Sequence, residues 1–331
     1  MNLQARIKGF VALGQQLSDP NNTLLIEAKL EAYRQNAWFL PEFIDQAILQ
    51  IREQFLDQSA LEAWTTAYPS IPNEATNLKV GIVMAGNIPL VGFHDLLSTL
   101  IAGHTAVVKR SSKDQVLMDF MIASLIKIDP SFEAQLSVQE QLKNCDAYIA
   151  TGGNTAGNYF EYYFGKFPHI IRKNKTSIAI LDGAETLSEL AALADDCMLY
   201  YGMGCRNVTQ IWVPEGYDFM PFLNALKKYN YLLDQHKYKH NYDYQLALLM
   251  MGKKLYMDSG GVLMSENASP FAAISQIHYQ QYKIGTTPIF NLDEIQCVVG
   301  KNHLPFGSLQ KPQLAQYADG VDSLAFLSNL K

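Results

Sequence analysis

Between about residue 78 and residue 181, short apolar, β-rich runs alternate with segments long enough to be helices. The runs are Lys79-Val-Gly-Ile-Val-Met84, Thr105-Ala-Val-Val-Lys109, Ala147-Tyr-Ile-Ala150 and Ser177-Ile-Ala-Ile-Leu181. Alternation of this kind predicts an α/β fold with a doubly wound, mostly parallel sheet. Residues 1 to about 75 read differently, as helices with apolar spacing such as Leu24-Leu25-Ile26 through Ala32. Asn36-Ala-Trp-Phe-Leu-Pro41 interrupts them, because a proline disfavours helix at the residue before it. Pro69, Pro72 and Asn73 mark a loop. A new section starts near residue 200, in which Tyr244–Met251 reads as a buried helix. The expectation is therefore a division into residues 1–200, with the helical section and the doubly wound domain, and residues 201–331, a second α/β domain.

Composition narrows the function classes. A length of 331 residues and 48% hydrophobic content allow sizeable cores, and 18% charged residues argue against disorder. The formal net charge of −6 supplies no basic field, so nucleic acid is not expected as a partner. The four cysteines, Cys145, Cys197, Cys205 and Cys297, form no C-x-x-C pair. That disfavours structural zinc and a disulfide framework, and suits a reducing compartment. The first ten residues carry no long apolar core or cleavage pattern, and no apolar run approaches the roughly 18 residues of a membrane span. The expected setting is cytoplasmic.

Chemistry concentrates at strand ends and in one cysteine motif. Ala85-Gly-Asn-Ile-Pro89 follows the first strand, and Asn87 offers an amide donor. Lys109-Arg-Ser-Ser112 follows the second, a cationic cluster where open α/β sheets bind ligands. Thr151-Gly-Gly-Asn-Thr-Ala-Gly157 follows the third, with Gly152, Gly153 and Gly157 opening a helix whose backbone N–H groups suit phosphate. It is not the G-x-G-x-x-G fingerprint, and a turn that only packs helix on strand fits equally well. Cys205 lies in Leu199-Tyr-Tyr-Gly-Met-Gly-Cys-Arg206. Glycine before it admits close backbone, and Arg206 after it favours the reactive thiolate. A buried structural cysteine is the plainer alternative for any one cysteine.

Together these motifs resemble the aldehyde dehydrogenase superfamily. The resemblance covers roughly residues 78 to 310. It implies an oxyanion-stabilising role for Asn87, adenosine contacts for Lys109, Arg110 and Ser111, and a cofactor turn at Gly152, Gly153 and Gly157. It also implies Cys205 as nucleophile and Glu294, in Asp293-Glu-Ile-Gln-Cys-Val298, as a contact of the nicotinamide ribose. Leu304-Pro-Phe-Gly307 is similar to the family's Pro-Phe-Gly-Gly. Arginine replaces the family's proline at 110, and Gly202-Met-Gly-Cys205 lacks its glutamine.

One departure directs the functional expectation. Hydrolytic members carry a glutamate that activates water, yet no acidic residue occurs from Tyr162 to Leu181. A reductase of acyl thioesters needs no such base. Short length, a helical opening and the cysteine context look like the acyl-CoA reductases related to the reductase subunit of bacterial bioluminescence. The resemblance thus implies reduction of an acyl-CoA to aldehyde through a Cys205 thioester. NADPH is expected rather than NADH, on account of Arg110, and no metal is expected. Lys166, His169, Arg172, Lys173 and Lys175 either meet CoA phosphates or form a solvated face. His94 is read as capping or packing, His236 and His240 as surface residues, and Cys145, Cys197 and Cys297 as packed thiols. Glu161 and Asp182 are the candidates for a relocated base. A hydrolytic dehydrogenase, a cysteine acyltransferase and a non-catalytic nucleotide-binding protein stay open as alternatives, as do the acyl donor and a homo-oligomeric state.

Overall fold

Fully buried parallel strands read as unbroken apolar runs, and several strands of this protein form where such runs occur. The computed structural model describes the backbone of residues 1–331 and every side chain except those of Asn154 and Thr155. The helical opening consists of α1 (Leu3–Ser18), α2 (Thr23–Gln35), α3 (Pro41–Gln50) and α4 (Gln58–Thr66). Asn2, Asn22 and Asp57 cap α1, α2 and α4 with side-chain oxygens, satisfying N–H groups that a helix start leaves open. The gap between α2 and α3 falls at the Asn36–Pro41 break, with Pro41 at the first helical position.

The alternating section follows as β1 (Lys79–Val83), α5 (Phe93–Ile101), β2 (Thr105–Lys109), α6 (Gln115–Ile128), β3 (Leu136–Val138), β4 (Ala147–Thr151), α7 (Asn154–Phe164) and β5 (His169–Arg172). Among the described residues its sheet has the order β3-β2-β1-β4-β5, parallel throughout. The remainder comprises β6 (Thr176–Ile180), α8 (Leu187–Met198), β7 (Val208–Pro214), α9 (Met220–Leu226), α10 (His236–Met251), β8 (Met257–Asp258), β9 (Leu263–Glu266), β10 (Gln276–Tyr282), β11 (Ile295–Gly300) and α11 (Ser323–Ser328). Its sheet has the order β11-β6-β7-β10-β9-β8, with only the β8–β9 pair antiparallel among the described residues.

The chain divides into residues 1–174 with 312–331, and residues 175–311. This differs from the division expected near residue 200. β6 looks like the strands before it, but it pairs with β7 and β11 and so belongs with the second sheet. The C-terminal segment returns to the first unit. Trp64 Nε1 donates to Tyr317 Oη at 2.8 Å, Tyr68 Oη donates to Asp322 at 2.7 Å, and α11 packs on α5.

The core of the first unit joins α1 and α5 to β1 and β4 through Phe10, Leu13, Phe93, Leu97, Val80, Ile82 and Ile149, all fully buried. The expected buried helix at Tyr244–Met251 is the second half of α10, and most of it is exposed. Tyr244, Leu248, Met250 and Met251 face solvent, while Tyr242 and Leu249 pack on Leu263. A continuous apolar run covers every side of a helix, and here one stripe finds a partner.

Candidate active site

The candidate residues of the first unit lie at the carboxyl ends of its parallel strands. β1 runs into the Asn87 turn. Gly86 is required there, since a Cβ on it would collide with the Ser111 side chain. Leu90 has a φ of 57°, a left-handed conformation unusual for a branched side chain. Its N–H donates to Asp114 Oδ2 at 2.6 Å, which pins the turn to the start of α6. Burial pushes the Asp114 carboxyl up to about 8, with the Leu90 bond working against that shift. His94, one residue into α5, contacts the Leu314 carbonyl at 2.9 Å and packs edge-on against Phe55 and Tyr317.

β2 delivers Lys109, Arg110 and Ser111. Arg110 donates to Asp119 on α6, so its charge has an internal acceptor besides the cofactor phosphate expected for it. β4 delivers Gly152 and Gly153. Gly153 caps α7 without a side-chain bond, and nothing stands within 4 Å of where its Cβ would be. A phosphate can approach such a bare helix start closely. Gly157 sits against the Lys173 side chain. The Asn87 and Gly153 turns follow β1 and β4, adjacent strands where the sheet order reverses, which is where open α/β sheets bind ligands. The expected CoA cluster loses one member. Arg172 is buried and paired with Asp95 at 2.6 Å.

In the second unit the candidates lie at the amino ends of the strands. α8 ends at Met198, and Tyr200, Tyr201 and Gly202 then adopt φ of 55°, 58° and 74°. Left-handed backbone costs roughly 1–2 kcal/mol for each non-glycine residue. The fully buried Asn207 holds this turn: Oδ1 accepts from Gly204 N at 2.8 Å, and Nδ2 donates to the Asp196 and Leu199 carbonyls, each at 2.9 Å. Ser177 Oγ on β6 donates to the Cys205 carbonyl at 3.0 Å. Cys205 is half-buried, whereas Cys145 and Cys197 are buried.

Arg206 Nη1 donates to Cys297 Sγ at 3.5 Å. Cys297, expected to be a packed thiol, is half-buried and shares this cluster. Burial pushes its thiol up, while Arg206 and Ser177 pull it down. Cys145 and Cys197 are buried thiols raised by desolvation, as packed cysteines are. Glu294 immediately precedes β11, whose Ile295 pairs with Thr176 of β6. Glu294 therefore stands at the same sheet edge as Cys205. Asp182 does not: it lies five residues beyond Ser177, about 16 Å along the strand direction. There it accepts from Ala184 N at 3.0 Å and from Lys301 at 3.1 Å, contacts that hold its carboxyl below the usual range.

Asp196, fully buried at the end of α8, accepts from Gly307 N at 2.6 Å and Leu309 N at 3.1 Å. It thereby fixes the Leu304-Pro-Phe-Gly307 loop, and burial pushes its carboxyl up to about 7. Glu161 Oε2 stands 3.7 Å from His169 Nε2. His236 and His240 are exposed. Among the described residues no group of three metal-ligating side chains forms, and no helix is long and apolar enough to cross a membrane. Sequence reasoning passed over Ser177, Asn207, Asp114 and Asp196. Asn207 alone left a signal, an amide two residues after the cysteine in a glycine-rich turn.

Comparison with known proteins adds to this geometry. A family model described as acyl-CoA reductase (LuxC) matches residues 19–227, well over half of the chain. The long-chain acyl-protein thioester reductase 2 of Photobacterium leiognathi is 24% identical over 56% of this chain and 43% of its own length. The long-chain acyl-protein thioester reductase of Aliivibrio fischeri is 23% identical over 57% and 40%. The chain thus spans less than half the length of these relatives. Among solved structures, an aldehyde dehydrogenase of Mycobacterium tuberculosis complexed with NAD+ superposes with a TM-score of 0.60 at 14% identity, covering 86% of this chain and 69% of that one. An indole-3-acetaldehyde dehydrogenase with NAD+ gives 0.62 at 13% identity, covering 86% and 68%. The fold is aldehyde-dehydrogenase-like, and by its family match the chain belongs to the acyl-CoA reductase (LuxC) family.

Proposed function

We propose that this chain reduces a long-chain acyl thioester to the aldehyde through an acyl-Cys205 intermediate. One observation carries the reading: the second sheet sets Cys205 and Glu294 at one edge and removes Asp182 to the other. With no acidic residue between 162 and 181, the water-activating base of hydrolytic relatives has no counterpart in that stretch. The names of the relatives favour a thioester donor, either acyl-CoA or acyl-protein.

Cys205 Sγ, as thiolate, attacks the acyl carbon. The carbon–sulfur bond to the donor breaks, and the donor leaves as a thiol after taking a proton. In this reading Asn87 supplies a hydrogen bond to the developing oxyanion, and losing such a donor typically costs about 10²–10³ in rate. The bare start of α7 at Gly153 fits a nicotinamide dinucleotide phosphate, with Gly152 and Gly157 shaping the turn and Lys109 and Ser111 near the adenosine. When bound, a reduced nicotinamide would supply the hydride for reduction of the acyl thioester to aldehyde, which would leave Cys205 as the free thiolate. Glu294 is assigned to the nicotinamide ribose. NADPH is the proposed form, with Arg110 reaching its 2′-phosphate at the expense of the Asp119 pair. The test is aldehyde formation from a fatty acyl-CoA and from an acylated carrier protein, with NADPH. Absence of aldehyde from both donors would exclude the reductase reading.

A further inference from the structure

The loop that presents Cys205 is held against the preference of its own backbone. Three consecutive left-handed residues, Tyr200, Tyr201 and Gly202, turn the chain between α8 and the cysteine. Two of them are buried tyrosines, residue types that do not choose this conformation. Strain of this kind persists only where the surroundings over-determine it, and it gathers at functional sites.

The over-determining group is Asn207. Its side chain is fully buried and its bonds converge on one short segment. Oδ1 takes Gly204 N, the amide immediately before the nucleophile, at 2.8 Å. Nδ2 reaches back to the Asp196 and Leu199 carbonyls at the end of α8. Its backbone closes the loop, since Asn207 N donates to Gly204 O at 3.0 Å and Asn207 O accepts from Ser177 N at 3.0 Å. The turn thus hangs between α8 on one side and β6 on the other, with Cys205 at its exit.

We propose that Asn207 is a positioning residue for Cys205, fixing the orientation of the thiol and of the Gly204–Cys205 peptide. The proposal rests on the reading of Cys205 as nucleophile. Only an amide both accepts from Gly204 N and donates to the two carbonyls, so no aliphatic or carboxylate side chain of this size substitutes for it. A displacement of about 1 Å at a reacting atom costs on the order of 10²-fold.

The test compares wild type with Asn207→Ala in the full chain, every rate expressed per folded molecule. Iodoacetamide alkylation of the Cys205 peptide is followed across pH by mass spectrometry, and acyl transfer from a fatty acyl-CoA is measured in a single turnover. A positioning role shifts the midpoint of the Cys205 alkylation profile and slows acyl transfer about a hundredfold. A purely structural role lowers only the folded fraction. Wild-type values for both rates in the folded variant would overturn the proposal. Should the variant not fold, hydrogen exchange of residues 199–207 in the wild type decides: a protected Gly204 amide supports the anchor, and exchange at open-loop speed overturns it. The nucleophile reading fails on a different result, acyl transfer that persists in Cys205→Ala.

Discussion

The Arg206 guanidinium, next in sequence to the proposed nucleophile Cys205, donates to the sulfur of Cys297 at 3.5 Å. Arg206 pulls the Cys297 thiol down against the burial that raises it. Arg206→Ala should therefore move the Cys297 alkylation midpoint to higher pH and slow its modification at neutral pH, because less thiolate is present. Peptide-resolved alkylation across pH checks this. An unchanged Cys297 profile would show that the guanidinium does not stabilise this thiolate.

Asp114 makes stability depend on pH. Its carboxyl is pushed from 3.8 up to about 8, so the folded state binds the proton more tightly than the unfolded chain. Its contribution is fully present below the ordinary carboxylate value and is lost as pH rises through about 8. Asp114→Asn keeps an oxygen for Leu90 N and cannot ionise. Between about pH 5 and about pH 9 the wild type should lose on the order of a few kcal/mol that the variant retains. Urea midpoints at both ends of that range measure it.

The sequence showed more of the fold than of the site. β1, β2, β4 and β6 fall within a residue or two of the runs that announced them, because burial on both faces demands apolar residues throughout. β5 escaped notice: it is four residues long and ends in Arg172, a charge tolerated there because Asp95 meets it. The sheet to which β6 belongs is decided by pairing, which no local pattern reveals. The motif order pointed to Cys205 and Glu294, yet their common sheet edge depends on the Ile295–Thr176 register. Asn207, Ser177 and Asp196 act through side-chain hydrogen bonds to backbone, and such partners leave no periodic trace in a sequence.

In the proposed NADPH reading, cofactor preference hinges on an exchange of partners at Arg110, just after β2. Arg110 is bonded to Asp119, and a 2′-phosphate must compete for it. Asp119→Ala should strengthen NADPH binding relative to NADH, and Arg110→Ala should weaken it by about tenfold or more. Titration of both nucleotides against the three proteins is the check. Equal NADPH-to-NADH ratios throughout would remove Arg110 from cofactor selection.

The position of Asp182 bears on water. Asp182→Asn should leave hydrolysis of the acyl-enzyme unchanged, since the carboxylate lies at the far end of β6 from Ser177. Free acid should form slowly without NADPH in both proteins, because a positioned base normally contributes about 10²–10⁴-fold. Quenched single turnovers with labelled acyl-CoA measure acid and aldehyde together. A marked drop in acid formation in the variant would make Asp182 the base and favour hydrolysis.

Intact-protein mass spectrometry after incubation with a fatty acyl-CoA, before and after addition of NADPH, reaches the chemistry most directly. The wild type should gain the mass of one acyl group at Cys205 and lose it, as aldehyde, once NADPH is added, while Cys205→Ala should gain none. Acylation that persists in the alanine variant, or an acyl group that NADPH fails to discharge, would contradict the acyl-Cys205 reductase mechanism.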